Sequence, residues 1–190
     1  MSIGRPRDAA RDRAILAATL DLLAEAGYPA LRIDDVARRA GVAKTTIYRR
    51  WPSKGEMVLD AIAAQLGDRS IEETGDPLHD LRRLLEVTYE RLAETVAGRA
   101  LPALAAEIMG DPGFAEEYRR RFVHPLRERA RALIGRAIDQ GLLRSDVDPN
   151  LLMDAVAGPS LYRPIALGVP ATAASASAVF DLVIHGARNH

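Results

Sequence analysis

The chain has 190 residues, of which 48% are hydrophobic and 27% charged, a composition typical of a soluble protein that can bury a core. It contains no cysteine, so disulfides, thiolate zinc sites and cysteine nucleophiles are excluded. The N-terminus shows no secretory signal, and the apolar stretch 151–180 is broken by charged residues and prolines. We therefore expect a cytoplasmic protein without a membrane span.

The net charge is zero, but the charges are unevenly distributed. Residues 1–55 carry 11 Lys and Arg against 6 Asp and Glu, a balance of +5, and the remainder carries 15 against 20. A basic segment on an acidic body suits a protein whose N-terminal part alone meets phosphate. Random clustering of charges is the alternative, so this imbalance gains weight only from a motif in the same segment.

Apolar residues recur along most of the chain at the three- and four-residue spacing of a helix, and alternating strand patterns are missing. The first such face runs over residues 11–26, and Gly27 is its expected stop. Asp-Pro pairs at 76–77, 111–112 and 148–149 predict three later helix starts, because Asp caps free N–H groups and Pro suits the first turn. These patterns predict an all-α fold.

The helix that follows the first Asp-Pro pair is predicted to continue through Val96. Pro125 lies inside the second of these segments, so we expect a kink near His124 or a later helix start. The last two helices are predicted over 151–167, with interruptions at internal prolines, and over 172–187.

Residues 33–54 predict two short helices joined by a tight turn, the arrangement of a helix-turn-helix. The inner face of the first helix consists of Ile33, Val36, Ala37 and Ala40. Gly41 supplies the turn, and Ile47 is the inward anchor of a second helix that begins near Ala43 or Lys44. In this motif the second helix enters the major groove of DNA.

The outward side chains of this second helix suit contacts with DNA. They are Lys44, Thr45, Tyr48 and Arg49. Cations suit guanine edges, and hydroxyls suit bases or phosphates. Ser53 and Glu56 then fit a capping box, whose helix N-terminus together with Lys54 favours a backbone phosphate. Three further arginines are interpreted as a solvated face: Arg38, Arg39 and Arg50.

The block over residues 13–57 resembles the DNA-binding domain of the TetR (tetracycline-repressor) family. It carries an Ala-Gly-Tyr at the end of the first helix, the run DDVARRAGV, and Tyr48, Trp51 and Ser53-Lys54 behind that run. The resemblance implies an all-α homodimer. Its N-terminal three-helix head, over residues 1–54, carries the helix-turn-helix and is joined to a larger ligand-binding and dimerisation body over 55–190.

By position, the resemblance implies seven DNA-contacting side chains. They are Arg32, Lys44, Thr45, Thr46, Tyr48, Arg49 and Lys54. Three positions depart from the residues usual in the family: Arg32 replaces Thr, Ala43 replaces Ser and Trp51 replaces Phe. Arg32 can still meet phosphate and Trp51 keeps a packing role, whereas Ala43 leaves the second helix without a side-chain cap.

Residues 158–163 resemble a segment of the penultimate helix of the family, which pairs with the last helix and with both symmetry mates. The implied dimer interface consists of Leu152, Val156, Leu161, Tyr162, Ile165, Val179, Phe180, Val183 and Ile184. Burial within one chain is the alternative for this apolar stripe.

The resemblance also implies a ligand pocket among the middle helices. Its candidate lining residues are Tyr89, Leu104, Glu107, Ile108, Met109, Tyr118, Phe122 and His124. A role in the helix kink is commoner than ligand contact for a residue placed as His124 is. Filling of the core is commoner than ligand contact for Met109.

The function implied is that of a sequence-specific transcriptional repressor, released from a pseudo-palindromic operator by a small hydrophobic ligand. The alternative is an activator, or a constitutive DNA-binding regulator without an effector. No catalytic residue, cofactor or metal site is predicted, since the four histidines lack metal spacing and no nucleophile motif occurs.

Overall fold

The computed structural model describes residues 5–67, 71–170 and 172–189. These residues form helices and no strand, so the prediction of an all-α fold is confirmed; a single β-bridge joins Leu143 to Arg188. The helices are α1 (Arg5–Ala30), α2 (Ile33–Ala40), α3 (Lys44–Arg50), α4 (Lys54–Leu66), α5 (Pro77–Glu94), α6 (Val96–Gly110), α7 (Pro112–Tyr118), α8 (His124–Asp139), α9 (Pro149–Ala166) and α10 (Ala173–Ala187). None of these helices is long and apolar enough to cross a membrane.

The packing divides the chain into two compact units, and the division differs from the predicted boundary after residue 54. Unit 1 comprises the described residues of 1–67 together with 95–118, and unit 2 those of 68–94 and 119–190. α6 packs against α1, α4 and α7, although the sequence assigned it to the body. These contacts join segments that are far apart in sequence, and a functional boundary after residue 54 stays a prediction.

Unit 1 is built around α1, which packs against α2, α4 and α6. Gly27 interrupts the helical geometry of α1 with φ 74° and ψ 170°, at the residue predicted as its stop. A side chain is strained at this φ, which glycine adopts freely. The core of unit 1 includes Ile15, Leu23, Val36, Ile47, Met57, Leu59, Ile62 and Leu104.

In unit 2, α5 packs against α8 and α10, and α9 packs against the same two helices. The core between these four helices consists of leucine, isoleucine, alanine and a few larger side chains. It includes Leu81, Leu84, Leu85, Ala130, Leu133, Ile134, Leu152, Met153, Val156, Phe180 and Ile184. One face of the α9–α10 pair is therefore already covered by α5 and α8.

The three helix starts predicted from Asp-Pro pairs are confirmed. Each Asp accepts backbone N–H bonds on its carboxylate: Asp76 from Leu78 and His79, Asp111 from Gly113 and Phe114, and Asp148 from Asn150, at 2.8 to 3.1 Å. These bonds satisfy N–H groups that a helix start leaves without an intrahelical partner.

Two helix boundaries differ from the sequence prediction or refine it. α5 ends at Glu94 rather than continuing through Val96, because Thr95 caps α6 by accepting the Gly98 N–H at 3.1 Å. A π-helical segment, Arg119–Val123, precedes Pro125 and accounts for the break expected near His124. α9 continues through its internal prolines.

Candidate nucleic-acid interface

α2 and α3 form the predicted helix-turn-helix, and their turn depends on Gly41. This residue has φ 66°, and the N–H of Val42 donates to the carbonyl of Ala37 at 3.0 Å. That bond satisfies a carbonyl at the end of α2 in the manner of a Schellman motif. The turn therefore fixes the direction in which α3 leaves α2.

α3 has one buried side chain and an exposed polar surface. Ile47 is fully buried, as predicted, and Val36 and Ala37 of α2 are buried as well. On the outer side Lys44, Thr45, Tyr48 and Arg49 are exposed, and Thr46 is half-buried. Because Ile47 anchors the helix, the exposed groups are held on a rigid element.

Tyr48 is 49% exposed and is therefore not a core residue of unit 1. Trp51, in contrast, is buried, and its indole N–H donates to Asp60 of α4 at 2.7 Å. The interpretation of Trp51 as a packing residue therefore fits its position. Its polar partner on α4 has no local signal in the sequence.

Lys44 forms an ion pair with Asp34 of α2. The ammonium lies 2.8 Å from Oδ1 and 3.0 Å from Oδ2 of this carboxylate, and 5.9 Å from the centre of the Tyr48 ring. The hydrogen bond and charge of Asp34 raise the pKa of Lys44. This partner of Lys44 has no local signal in the sequence, since Asp34 lies ten residues away.

Lys54 is also engaged within unit 1. Its ammonium donates to the carbonyl of Tyr28 at 3.0 Å and lies 4.0 Å from the centre of the Tyr28 ring. Ser53 caps α4 by accepting the Glu56 N–H at 3.1 Å, which provides one half of the predicted capping box. The start of α4 is thus held against the end of α1.

The five arginines between residues 32 and 50 fall into two groups. Arg39 makes a bidentate pair with Glu25 at 2.7 and 2.9 Å, Arg38 pairs with Asp35, and Arg50 lies 3.4 Å from Asp12. Arg32 and Arg49 are exposed, and no ion pair or hydrogen bond engages them among the side chains that the structure describes. Their guanidinium donors are available to a phosphate or a base edge.

The eight predicted ligand residues divide between the two units. In unit 1, Leu104 is fully buried, Glu107, Ile108 and Tyr118 are half-buried, and Met109 is 82% exposed. The Met109 side chain therefore lies at the surface of unit 1, and its role in ligand binding stays a prediction.

In unit 2, Tyr89 and Phe122 are buried and His124 is exposed. The Tyr89 hydroxyl donates to the carbonyl of Val156 at 2.9 Å, and burial raises its pKa. His124 stands exposed at the first position of α8, beside Pro125, and its role as a lining residue stays a prediction.

The predicted dimer-interface residues also separate into two groups. Leu152, Val156, Phe180 and Ile184 are buried in the core that α5 and α8 share with α9 and α10, so their place in a dimer interface stays a prediction. Val179 and Val183 are half-buried. Leu161, Tyr162 and Ile165 are at least half exposed, and so are Leu167 and Leu182, which the prediction did not name.

Unit 2 contains an open polar cleft of about 420 Å³ between the start of α5 and α10. Its lining comprises Asp76, Leu78, His79, Arg82, Phe180, Asp181, Ile184, His185 and Arg188. Arg82 pairs with Asp181, lowering the pKa of that carboxyl, and lies 4.7 Å from the Phe180 ring centre. None of the predicted ligand residues lines this cleft. Within the described ranges, no group of three or more acidic or histidine side chains is arranged to hold a metal ion.

Comparison with known proteins extends the resemblance to most of the chain. The family described as "Bacterial regulatory proteins, tetR family" matches residues 15–62, and "Tetracyclin repressor-like, C-terminal domain" matches residues 71–183. The chain is 35% identical over 170 residues to the uncharacterized HTH-type transcriptional regulator YdeS of Bacillus subtilis, covering 87% of this chain and 83% of that protein.

Two further relatives agree with this assignment. The DNA-binding transcriptional repressor TetR of Mycobacteroides abscessus is 33% identical over 167 residues, covering 86% of each chain. The crystal structure of the TetR family transcription regulator SCO0332 is 30% identical, with a TM-score of 0.67 over 94% of this chain and 99% of the other. The helix-turn-helix, the helical body and these relatives together establish that the chain is a DNA-binding transcriptional regulator, not an enzyme, and belongs to the TetR family.

Proposed function

We propose that the protein is a repressor that binds a pseudo-palindromic operator as a homodimer and leaves it when a small hydrophobic ligand binds. The observation that carries the proposal is the exposed face of α3, where Thr45, Tyr48 and Arg49 stand on a helix anchored by buried Ile47. Such a face places donors and a methyl group where a major groove presents acceptors and thymine methyls.

The proposed contacts follow from the exposure of each side chain. Arg49 and Lys44 are proposed to reach base edges, with Thr45 beside them, and the exposed Tyr48 hydroxyl to reach a phosphate. Arg32 precedes α2 and is exposed, so it is placed at a phosphate as well.

Thr46 and Lys54 are proposed to contact DNA from more restricted positions. The Thr46 N–H already donates to the Ala43 carbonyl at 2.9 Å, so its hydroxyl is the group available to DNA. Lys54 has three N–H donors, one of which is used by the Tyr28 carbonyl, and the others can meet a phosphate at the start of α4.

Dimerisation is proposed through the exposed apolar residues of α9 and α10. Leu161, Tyr162 and Ile165 form such a surface on α9, and Leu182 is 75% exposed on α10. Large exposed apolar side chains in this number are typical of a surface that another chain covers. A two-fold axis would set the two recognition helices about 34–36 Å apart, which matches successive major grooves.

Repression and release by a ligand are supported by the family and by the printed name of one relative, a DNA-binding transcriptional repressor. Within unit 2 the proposed ligand contacts are Tyr89 and Phe122. Within unit 1 they are Leu104, Glu107, Ile108 and Tyr118. A ligand that favours the non-binding form by roughly 1–3 kcal/mol lowers operator affinity about 5- to 150-fold. Since operator DNA lies in the bacterial cytoplasm, we place the protein there.

The proposal is tested by fluorescence anisotropy with a duplex that the wild-type protein selects from a random pool, beside a shuffled duplex of the same composition. Arg49→Ala should lose about 5- to 150-fold in affinity for the selected duplex, the effect of one base contact. Arg136→Ala, which removes an exposed arginine of unit 2 paired with Glu73, is the matched control and should bind as the wild type does. Equal binding of both duplexes by the wild type would contradict the proposal.

A further inference from the structure

We propose that Asp34 sets the discrimination between operator and other DNA, by holding the Lys44 ammonium in place and opposing its use by phosphates. The inference rests on the proposed role of α3 in reading DNA and concerns a residue that is not among the seven DNA-contacting positions implied by the resemblance. It starts from the ion pair that joins the first turn of α2 to the first residue of α3.

The pair is placed where DNA would approach. The Asp34 side chain is 64% exposed and that of Lys44 is 47% exposed, so a phosphate near Lys44 meets the carboxylate as well. Asp34 lies in the first turn of α2 and Lys44 is the first residue of α3, so the pair joins the two helices of the helix-turn-helix.

Sequence-independent binding to DNA depends on cations that neutralise phosphates and release counterions. If Lys44 moves to a phosphate, it breaks two contacts with Asp34, at 2.8 and 3.0 Å, and leaves an uncompensated carboxylate beside a polyanion. Asp34 therefore weakens binding to any duplex that offers Lys44 nothing except phosphate.

At the operator the same pair has the opposite consequence. The Lys44 ammonium has three N–H donors and can keep a bond to Asp34 while donating to the acceptors of a guanine edge. The carboxylate and the nearby Tyr48 ring, 5.9 Å away, restrict where the ammonium lies. Lys44 is thereby oriented for a base edge at little cost.

Asp35 provides a matched control on the same helix turn. It pairs with Arg38, three residues later in α2, and neither residue belongs to α3. Asp34→Asn and Asp35→Asn each remove one negative charge from the start of α2, so both lose the same favourable interaction with the helix N-terminus. They differ in whether the change releases Lys44. Exposed pairs of this kind contribute little to stability, so both variants are expected to fold.

The experiment measures the affinity of wild type, Asp34→Asn and Asp35→Asn for the selected and shuffled duplexes across a salt series. For Asp34→Asn we expect affinity for the shuffled duplex to rise about 5-fold and affinity for the selected duplex to change about 2-fold or less. The slope of log affinity against log salt for the shuffled duplex should become steeper by about 1, as one more phosphate is neutralised. Asp35→Asn should leave the affinity ratio of the two duplexes unchanged.

Adding Lys44→Gln to Asp34→Asn should abolish the gain for the shuffled duplex, because the gain requires the released ammonium. The proposal is overturned if Asp34→Asn raises affinity for both duplexes equally, if Asp35→Asn changes the ratio as much, or if the double variant keeps the gain. A wild-type protein that does not distinguish the duplexes would instead refute the proposed function itself.

Discussion

α2 and α9 are each followed by a glycine of positive φ, and the helix pairs to which they belong, α2–α3 and α9–α10, present opposite surfaces. Between α2 and α3, Gly41 has φ 66° and the next N–H donates back to Ala37 at 3.0 Å. After α9, Gly168 has φ 64° and the N–H of Val169 donates back to Arg163 at 3.1 Å. α3 exposes hydroxyls and cations, whereas α9 exposes leucine, isoleucine and tyrosine side chains.

This difference shows that a glycine after a helix sets the direction of the chain, whereas the outer surface of each helix pair determines what the pair can bind. A polar outer face on a short anchored helix suits the edges of bases, which offer acceptors. An apolar outer face suits another protein surface, because it gains from being removed from water. We therefore propose that the α2–α3 pair meets DNA and that the α9–α10 pair meets a second copy of the chain.

The largest expected effect tests whether the inner face of α10 is buried in unit 2. Phe180 is buried in the core of unit 2, so Phe180→Ala should lower the free energy of unfolding by about 3–5 kcal/mol in urea denaturation. Met109→Ala removes a side chain that is 82% exposed and should change the free energy by about 0.5 kcal/mol or less. Equal effects of the two substitutions would show that the inner face is misassigned.

The next effect concerns self-association. Ile165→Asp places a charge in the exposed apolar surface of α9 and should raise the dimer dissociation constant about 10-fold or more, as measured by sedimentation equilibrium. Met109→Asp makes the same kind of change outside that surface and should leave association as in the wild type. Loss of association in both variants, or in neither, would show that the exposed apolar surface of α9 is not the dimer interface.

A smaller effect is expected at the turn of the helix-turn-helix. Gly41→Ala should lower the free energy of unfolding by roughly 1–2 kcal/mol, because an L side chain is strained at this φ. No neighbouring atom lies within 4 Å of the added Cβ, so the backbone alone causes the loss. Gly41→Asn should retain more stability, since Asn tolerates the left-handed region. Urea denaturation that ranks the two variants in reverse would exclude this explanation.

The smallest effect is expected at the start of α4. Lys54→Ala should weaken binding to the selected and shuffled duplexes by the same factor and make the salt slope shallower by about 1, since one phosphate contact is lost. Lys54→Arg keeps a cation beside the Tyr28 carbonyl and should retain most of the slope. A change in the affinity ratio of the duplexes would instead place Lys54 at a base.

The sequence was sufficient where the chemistry is local. The helix stop at Gly27, the turn at Gly41 and the Asp-Pro helix starts each depend on neighbouring residues, and the structure confirms all of them. The inward position of Ile47 follows likewise from helical spacing. The turn at Gly41 and the position of Ile47 belong to the α2–α3 pair, whose helix-turn-helix could therefore be predicted from local residues.

The sequence was insufficient where the burial or pairing of a residue depends on partners that are distant along the chain. Phe180 and Leu182 are both apolar residues of α10, and only the packing of α5 and α8 shows that the first is buried. Lys44 and Asp34 are ten residues apart, and Lys54 and Tyr28 are twenty-six apart, so their pairing depends on how the helices cross. The contact of α6 with α1 depends likewise on long-range packing and has no local signal in the sequence.

The spacing of the two recognition helices tests the central claim most directly. The chain has no cysteine, so a single Arg38→Cys substitution on α2 allows one spin label to be attached to each copy. Pulsed dipolar measurement on the selected duplex should give one narrow distance distribution consistent with helices about 34–36 Å apart. Absence of a dipolar signal on DNA, or a broad distribution unchanged by the duplex, would contradict a dimer that reads successive major grooves.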